Sequence, residues 1–153
     1  MDAAVARAMA KWPQVPAVYG WLALDRRGNW RIKGERIANP ALRDFISRNY
    51  AVDDRGCWHF QNGPQRVFVS LAYTPFVVHY QGDALRDHCG RAFARREAFV
   101  DDEGSVLIAG ENTLALLDDR DLLRIADEAH SLQRIIRAEV PARFGFVLEP
   151  RPV

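Results

Sequence analysis

Apolar residues recur at every second position in three places along the chain, and each place is organised around the same short element. The stretches are "DRRGNWRI" from Asp25, "DDRGCWHF" from Asp53 and "DDEGSVLI" from Asp101. Aligned on the glycine, they carry Trp30, Trp58 and Val106 two residues later, and Ile32, Phe60 and Ile108 four residues later. Leu24, Val52 and Val100 precede the aspartates. A period of two means strands with one buried face. The D-x-x-G element between them is a turn: the aspartate bonds the backbone ahead of it, and the glycine accepts the positive φ that closes the hairpin. Three hairpins are therefore expected, beginning near residues 20, 50 and 98.

The pattern changes to helical spacing twice. "ANPALRDFISRNY" offers Asn39 as cap and Pro40 at the first helical position, with Leu42, Phe45 and Ile46 as the buried stripe, which predicts a helix over about 40–50. In "LLDDRDLLRIADEAHSLQRIIRAEVP", Asp118 caps and Leu122, Ile125, Ala126, Ala129, Leu132 and Ile136 recur at helical intervals up to Pro141, which predicts a second helix over 119–139. Between them, "QRVFVSLAYTPFVVHYQ" reads as two strands broken at Thr74–Pro75, and "RFGFVLEP" near the end as an edge strand. Residues 82–96, "GDALRDHCGRAFARR", read as a loop with at most one turn, because their glycines argue against a helix. The expected fold is α+β: one domain over 1–153, mostly antiparallel, with hairpin–helix repeats at 18–50 and 96–139 flanking a central strand pair.

Composition narrows the function classes. The 153 residues are 48% hydrophobic and 27% charged with a net charge of +1, so no global field draws the chain to nucleic acid or an anionic membrane. Arg26, Arg27, Arg31, Lys33 and Arg36 form a local basic run, but alternation turns Trp30 to the face opposite Arg31 and Lys33, whereas base stacking wants aromatic and cation together. No apolar run reaches the ~18 residues of a membrane span. The opening "MDAAVARAMAKWP" reads as a short helix, or as a leader upstream of a start at Met9. Two cysteines make no disulfide framework, so a cytoplasmic protein is expected.

The candidate chemistry is thin. Cys57, His59, His88 and Cys89, with His79 near in sequence, could in principle serve zinc or a small cysteine–histidine enzyme; the adjacent His-Cys pair has poor ligand spacing, and a free thiol with a solvent-side histidine is the simpler expectation. Glu35 and Glu111 occupy matching repeat positions but read as solvated, and the "DDRD" run from Asp118 reads as helix capping rather than a magnesium site. No phosphate-binding or nucleotide fingerprint is present, and no cofactor is expected. "QNGPQRVFV" is richer in amide and guanidinium groups than a turn needs. Arg66 shares a strand face with Phe68, which makes Arg66, Gln65, Phe68, Tyr73 and His79 the candidate ligand-binding set; the alternative is that Arg66 pairs with a repeat acid and locks two hairpins.

The segments "GWLALDRRGNWRIKGERI", "NPALRDFISRNY", "WHFQNGPQRVFV" and "YTPFVV" resemble a group of small bacterial proteins classed as domains of unknown function, chiefly over residues 18–80. The resemblance implies repeated α+β motifs and a role in signal transduction, and it transfers no catalytic residue. The expected function is a cytoplasmic binding or regulatory module for a small ligand or protein partner, acting through the sheet region between hairpins two and three.

Overall fold

A computed structural model describes residues 3–153 of the chain. The strands form two sheets rather than one, and both are mixed, with parallel pairings among the antiparallel ones. The first runs β3 (Glu35–Arg36), β2 (Trp30–Ile32), β1 (Ala17–Leu24), β6 (Gln65–Leu71), β5 (Trp58–Asn62), β4 (Tyr50–Val52). The second runs β13 (Gln133–Ile135), β10 (Glu97–Asp101), β11 (Val106–Gly110), β12 (Thr113–Leu117), β7 (Phe76–Gln81), β8 (Ala84–Asp87), β9 (Ala92–Phe93). Neighbours in sequence pair antiparallel, while β1–β6, β7–β12 and β10–β13 pair parallel. Each sheet thus has a parallel seam near its centre, joining the first strand of a segment to its last.

The D-x-x-G turns join β1 to β2, β4 to β5 and β10 to β11. In each, Oδ1 of the aspartate accepts the backbone N–H groups two and four residues ahead, as Asp25 does from Arg27 and Asn29 at 2.9 Å. A fourth copy lies where a loop was expected. Asp87 Oδ1 accepts from Cys89 N at 2.9 Å and Arg91 N at 3.0 Å, and Gly90 takes φ +86°. Residues 82–96 therefore hold β8 and β9, and the glycines that seemed to break structure are the turn residues of two hairpins.

The first predicted helix is present as α2 (Pro40–Arg48), with the Asn39 side chain accepting from Leu42 N at 3.0 Å. The second is not an α-helix. Asp119–Ser131 is a 3₁₀ helix that buries Ile125 alone and leaves Leu123 in solvent, and Gln133–Ile135 extend to pair with Phe99–Asp101. Without β13 the outer edge of β10 would be left with unmet backbone groups, and satisfying them outweighs the local helical preference of "LQRII". The hairpin–helix unit of 18–50 is accordingly not repeated at 96–139. The expected edge strand near the end is replaced by a short helix, α3 (Val140–Phe144), and an arm that bonds through Val147 N to Gly56 O (3.0 Å) and accepts from Leu71 N at Leu148 O (2.8 Å). At the other end, α1 (Ala3–Met9) and the turn after it bury Val5 and Trp12.

One apolar core runs through both sheets. At the junction, Trp30 and Tyr50 from the first sheet meet Phe76 and His88 from the second, with ring centroids 5.0–5.7 Å apart. Trp30 is fully enclosed and donates from Nε1 to Ser47 Oγ at 3.0 Å. Trp58, expected to be an equivalent core residue, is only half-buried and packs edge-on to Phe76 at 5.1 Å.

A candidate ligand pocket between the two sheets

The residues singled out by the sequence do not share one site. Arg66 stands in solvent at the start of β6 and makes no ion pair among the described residues, so it locks no hairpins together. Gln65 is a clasp: its Nε2 donates to the Pro13 and Val15 carbonyls, both at 2.7 Å, and holds the N-terminal segment. Phe68 lies buried against Tyr19, the rings stacked at 4.7 Å. Tyr73 is buried, donates to Asp101 Oδ2 at 2.8 Å and is flanked by the guanidinium groups of Arg26 and Arg137. His79 opens onto a separate cleft.

The cysteine–histidine set fares similarly. Among the described residues, no three His, Cys, Asp or Glu side chains gather so as to hold a metal ion. Burial pushes both thiols up, Cys89 to about 11, away from the thiolate that a nucleophile needs. His59 is buried rather than facing solvent, packed edge-on to Phe68, and burial followed by the Arg66 charge lowers its pKa. His88 sits within the aromatic junction and accepts from Val77 N at Nδ1 (3.3 Å).

Two cavities bridge the sheets, and they differ in how their charges are spent. The cleft of about 370 Å³ beside His79 is lined by Arg27, Arg120, Asp118 and Asp121. Arg27 grips Asp119 through two bonds of 2.9 and 3.1 Å, Arg120 holds Asp118 at 2.6 Å, and Asp121 accepts from Tyr80 N at 2.8 Å. These charges neutralise one another and leave little for a ligand.

The second cavity, of about 350 Å³, has walls formed by Trp58, Phe76 and Phe93, with Asp87, Arg91 and Glu111 as its charged groups. Asp87 is only 6% exposed, yet it lines this space. Its Oδ1 is occupied by the turn, and its Oδ2 accepts no hydrogen bond among the described residues. The residue is buried as a whole, but this oxygen is not sealed in the core, and it can accept a donor that enters the cavity. Glu111, also in the lining, is largely exposed and lies 3.4 Å from Arg96. The residues that make this pocket, Asp87, Arg91 and Phe93, fall within 82–96; the signal that would have found them is the D-x-x-G spacing of Asp87 and Gly90.

A family model described as "Protein of unknown function (DUF2946)", under the family name DUF2944, matches residues 1–151. Among solved structures, a DUF1285 family protein from Silicibacter pomeroyi DSS-3 is similar at TM-score 0.57 and 18% identity, over 83% of this chain and 84% of that one. A DUF1285 family protein from Shewanella baltica OS155 is similar at TM-score 0.53 and 12% identity, over 70% of this chain and 91% of the other. At these identities the likeness is one of fold. No curated protein matches the chain.

Proposed function

The chain belongs to the DUF2944 family of proteins of unknown function, and we propose that it is a non-catalytic binding module for a small apolar amine. The ligand would sit in the pocket between the sheets, its ammonium on Asp87 Oδ2 and its apolar body against Trp58, Phe76 and Phe93. The observation that carries this reading is the Asp87 carboxylate, buried and with one oxygen uncommitted, set among three aromatic rings. A cation gains both from a carboxylate and from aromatic faces within ~6 Å, and it gains more where water is excluded. The lining has two carboxylates to one guanidinium, which also favours positive charge. The reading is of a module rather than an enzyme: no cysteine lines the pocket, and burial pushes both thiols up. A cytoplasmic setting is part of the reading: both cysteines are free, and no helix among the described residues is long and apolar enough to cross a membrane.

Titration with phenethylamine and with its uncharged counterpart phenethyl alcohol tests the proposal, read by tryptophan fluorescence, to which Trp58 contributes from the pocket wall, and by melting temperature. The amine is expected to bind and raise the melting temperature, the alcohol to do neither, and Asp87→Asn to lose the amine while keeping the turn through its amide oxygen. Equal responses to amine and alcohol, or no response to benzylamine, phenethylamine and isoamylamine alike, would overturn it.

A further inference from the structure

The four D-x-x-G turns share one backbone geometry, and comparison isolates what is peculiar to the fourth. At Asp25 the second carboxylate oxygen accepts from Asn29 Nδ2 at 3.1 Å and Arg31 Nε at 2.8 Å, and at Asp101 it accepts from Tyr73 at 2.8 Å. At Asp53, as at Asp87, it accepts no hydrogen bond among the described residues, so what sets the fourth turn apart is its arginine and the cavity it faces. The residue four places after the aspartate is Asn29, Cys57, Ser105 and, only in the fourth, an arginine, Arg91. Asp87 and Arg91 close the turn on each other, the Asp87 backbone N donating to the Arg91 carbonyl at 2.9 Å and the Arg91 backbone N to the Asp87 carboxylate Oδ1 at 3.0 Å. Their side chains therefore leave from paired positions, and both line the same cavity.

Arg91 is exposed and makes no ion pair among the described residues. One of its N–H groups reaches the Ser47 carbonyl at 3.0 Å, which steadies the guanidinium and leaves its other donors uncommitted. A planar fork of donors is matched to a carboxylate. A carboxylate oxygen without a donor and a guanidinium with donors to spare on one turn, with an aromatic wall beyond them, make a complementary pair for a ligand that bears both charges on neighbouring atoms. We propose that the pocket takes an apolar α-amino acid, its ammonium on Asp87, its carboxylate on Arg91 and its side chain against Trp58, Phe76 and Phe93. The inference rests on the Asp87 reading above and adds the second charge, so Arg91 becomes the residue that separates amino acids from simple amines.

Calorimetric titration of the full chain with phenylalanine, phenethylamine and hydrocinnamate separates the two ideas. Phenylalanine is expected to bind about tenfold or more tightly than phenethylamine, the scale of one charge-assisted contact. Arg91→Gln is expected to abolish the preference for phenylalanine over phenethylamine without weakening phenethylamine, which loses a like charge beside it, and Arg91→Lys to restore part of the preference. Arg91 is exposed, so both variants should fold, which their melting curves check. If phenethylamine binds as tightly as phenylalanine, or if Arg91→Gln leaves their ratio intact, the amino-acid inference falls and the amine reading stands. If only hydrocinnamate binds, the amine reading falls with it.

Discussion

His88 shows at the scale of one residue how place overrides type. The sequence offered it as a metal ligand or half of a catalytic pair, and the fold instead sets its ring among Trp30, Tyr50 and Phe76. Its Nδ1 accepts from the Val77 backbone, so the proton sits on Nε2, which is buried without a hydrogen-bond partner among the described residues. Burial, followed by the nearby Arg91 charge, pushes its pKa down to about 3, against a weak opposing pull from Asp25. The folded value lies below the ordinary 6.5, so at acid pH the unfolded chain takes up a proton that the folded one refuses. The contribution to stability is thus complete above pH 6.5 and is lost as pH falls from there toward 3, at a limiting slope of ~1.4 kcal/mol per pH unit. Urea unfolding at neutral pH and near pH 5 should show wild type losing more stability on acidification than His88→Gln. His59, lowered in the same direction, remains in both proteins and cancels. Equal losses in the two proteins would mean that His88 takes up its proton in the folded state.

The elements differ in how openly the chain declares them. Leu24, Trp30 and Ile32, or Val100, Val106 and Ile108, alternate visibly, and Asn39–Pro40 is a helix start that local chemistry alone can write. The β8–β9 hairpin was hidden because its tight turn at Gly82 precedes its D-x-x-G turn, reversing the order of the other copies, and because only Leu85 and Phe93 mark its apolar face. With it went the candidate pocket, since Asp87, Arg91 and Phe93 all lie there. The extended run at Gln133–Ile135 was illegible for another reason: its partner is β10, more than thirty residues earlier, and no local pattern encodes that edge. Turns that look equivalent in sequence also differ in what they carry. Gly56 and Gly104 have the same positive φ, +82° and +83°, so alanine is strained at both. A methyl at Gly104 meets open space, whereas at Gly56 it would run into the Gly145 carbonyl and the Phe146 backbone of the C-terminal arm. Gly104→Ala should cost about 1–2 kcal/mol, the left-handed penalty of an L-residue, and Gly56→Ala clearly more, because the arm must also lift. Matching melting temperatures for the two variants would show that the arm gives way freely.

The whole molecule is two sheets with one interior, and the aromatic junction makes them interdependent. All four tryptophans, Trp12, Trp21, Trp30 and Trp58, belong to the first half of the chain, while the second sheet has none. Fluorescence therefore reports the first sheet, and far-ultraviolet circular dichroism reports both. With a shared core the two signals should trace one coincident urea transition. Two separated midpoints would show that the sheets hold together less firmly than each holds itself. The parallel seams have a further consequence, in time rather than in space. Val18 pairs with Val67 and Val78 with Leu117, separations of 49 and 39 residues, whereas every hairpin joins near neighbours. A nascent chain can close its hairpins within microseconds, but each seam must wait until a long loop has found its far end, and that search slows folding. The strands that end up at the centre of each sheet are thus the ones that assemble last, and until they do β1 and β7 each carry an unpaired edge, the kind of surface on which a half-made protein sticks to its neighbours.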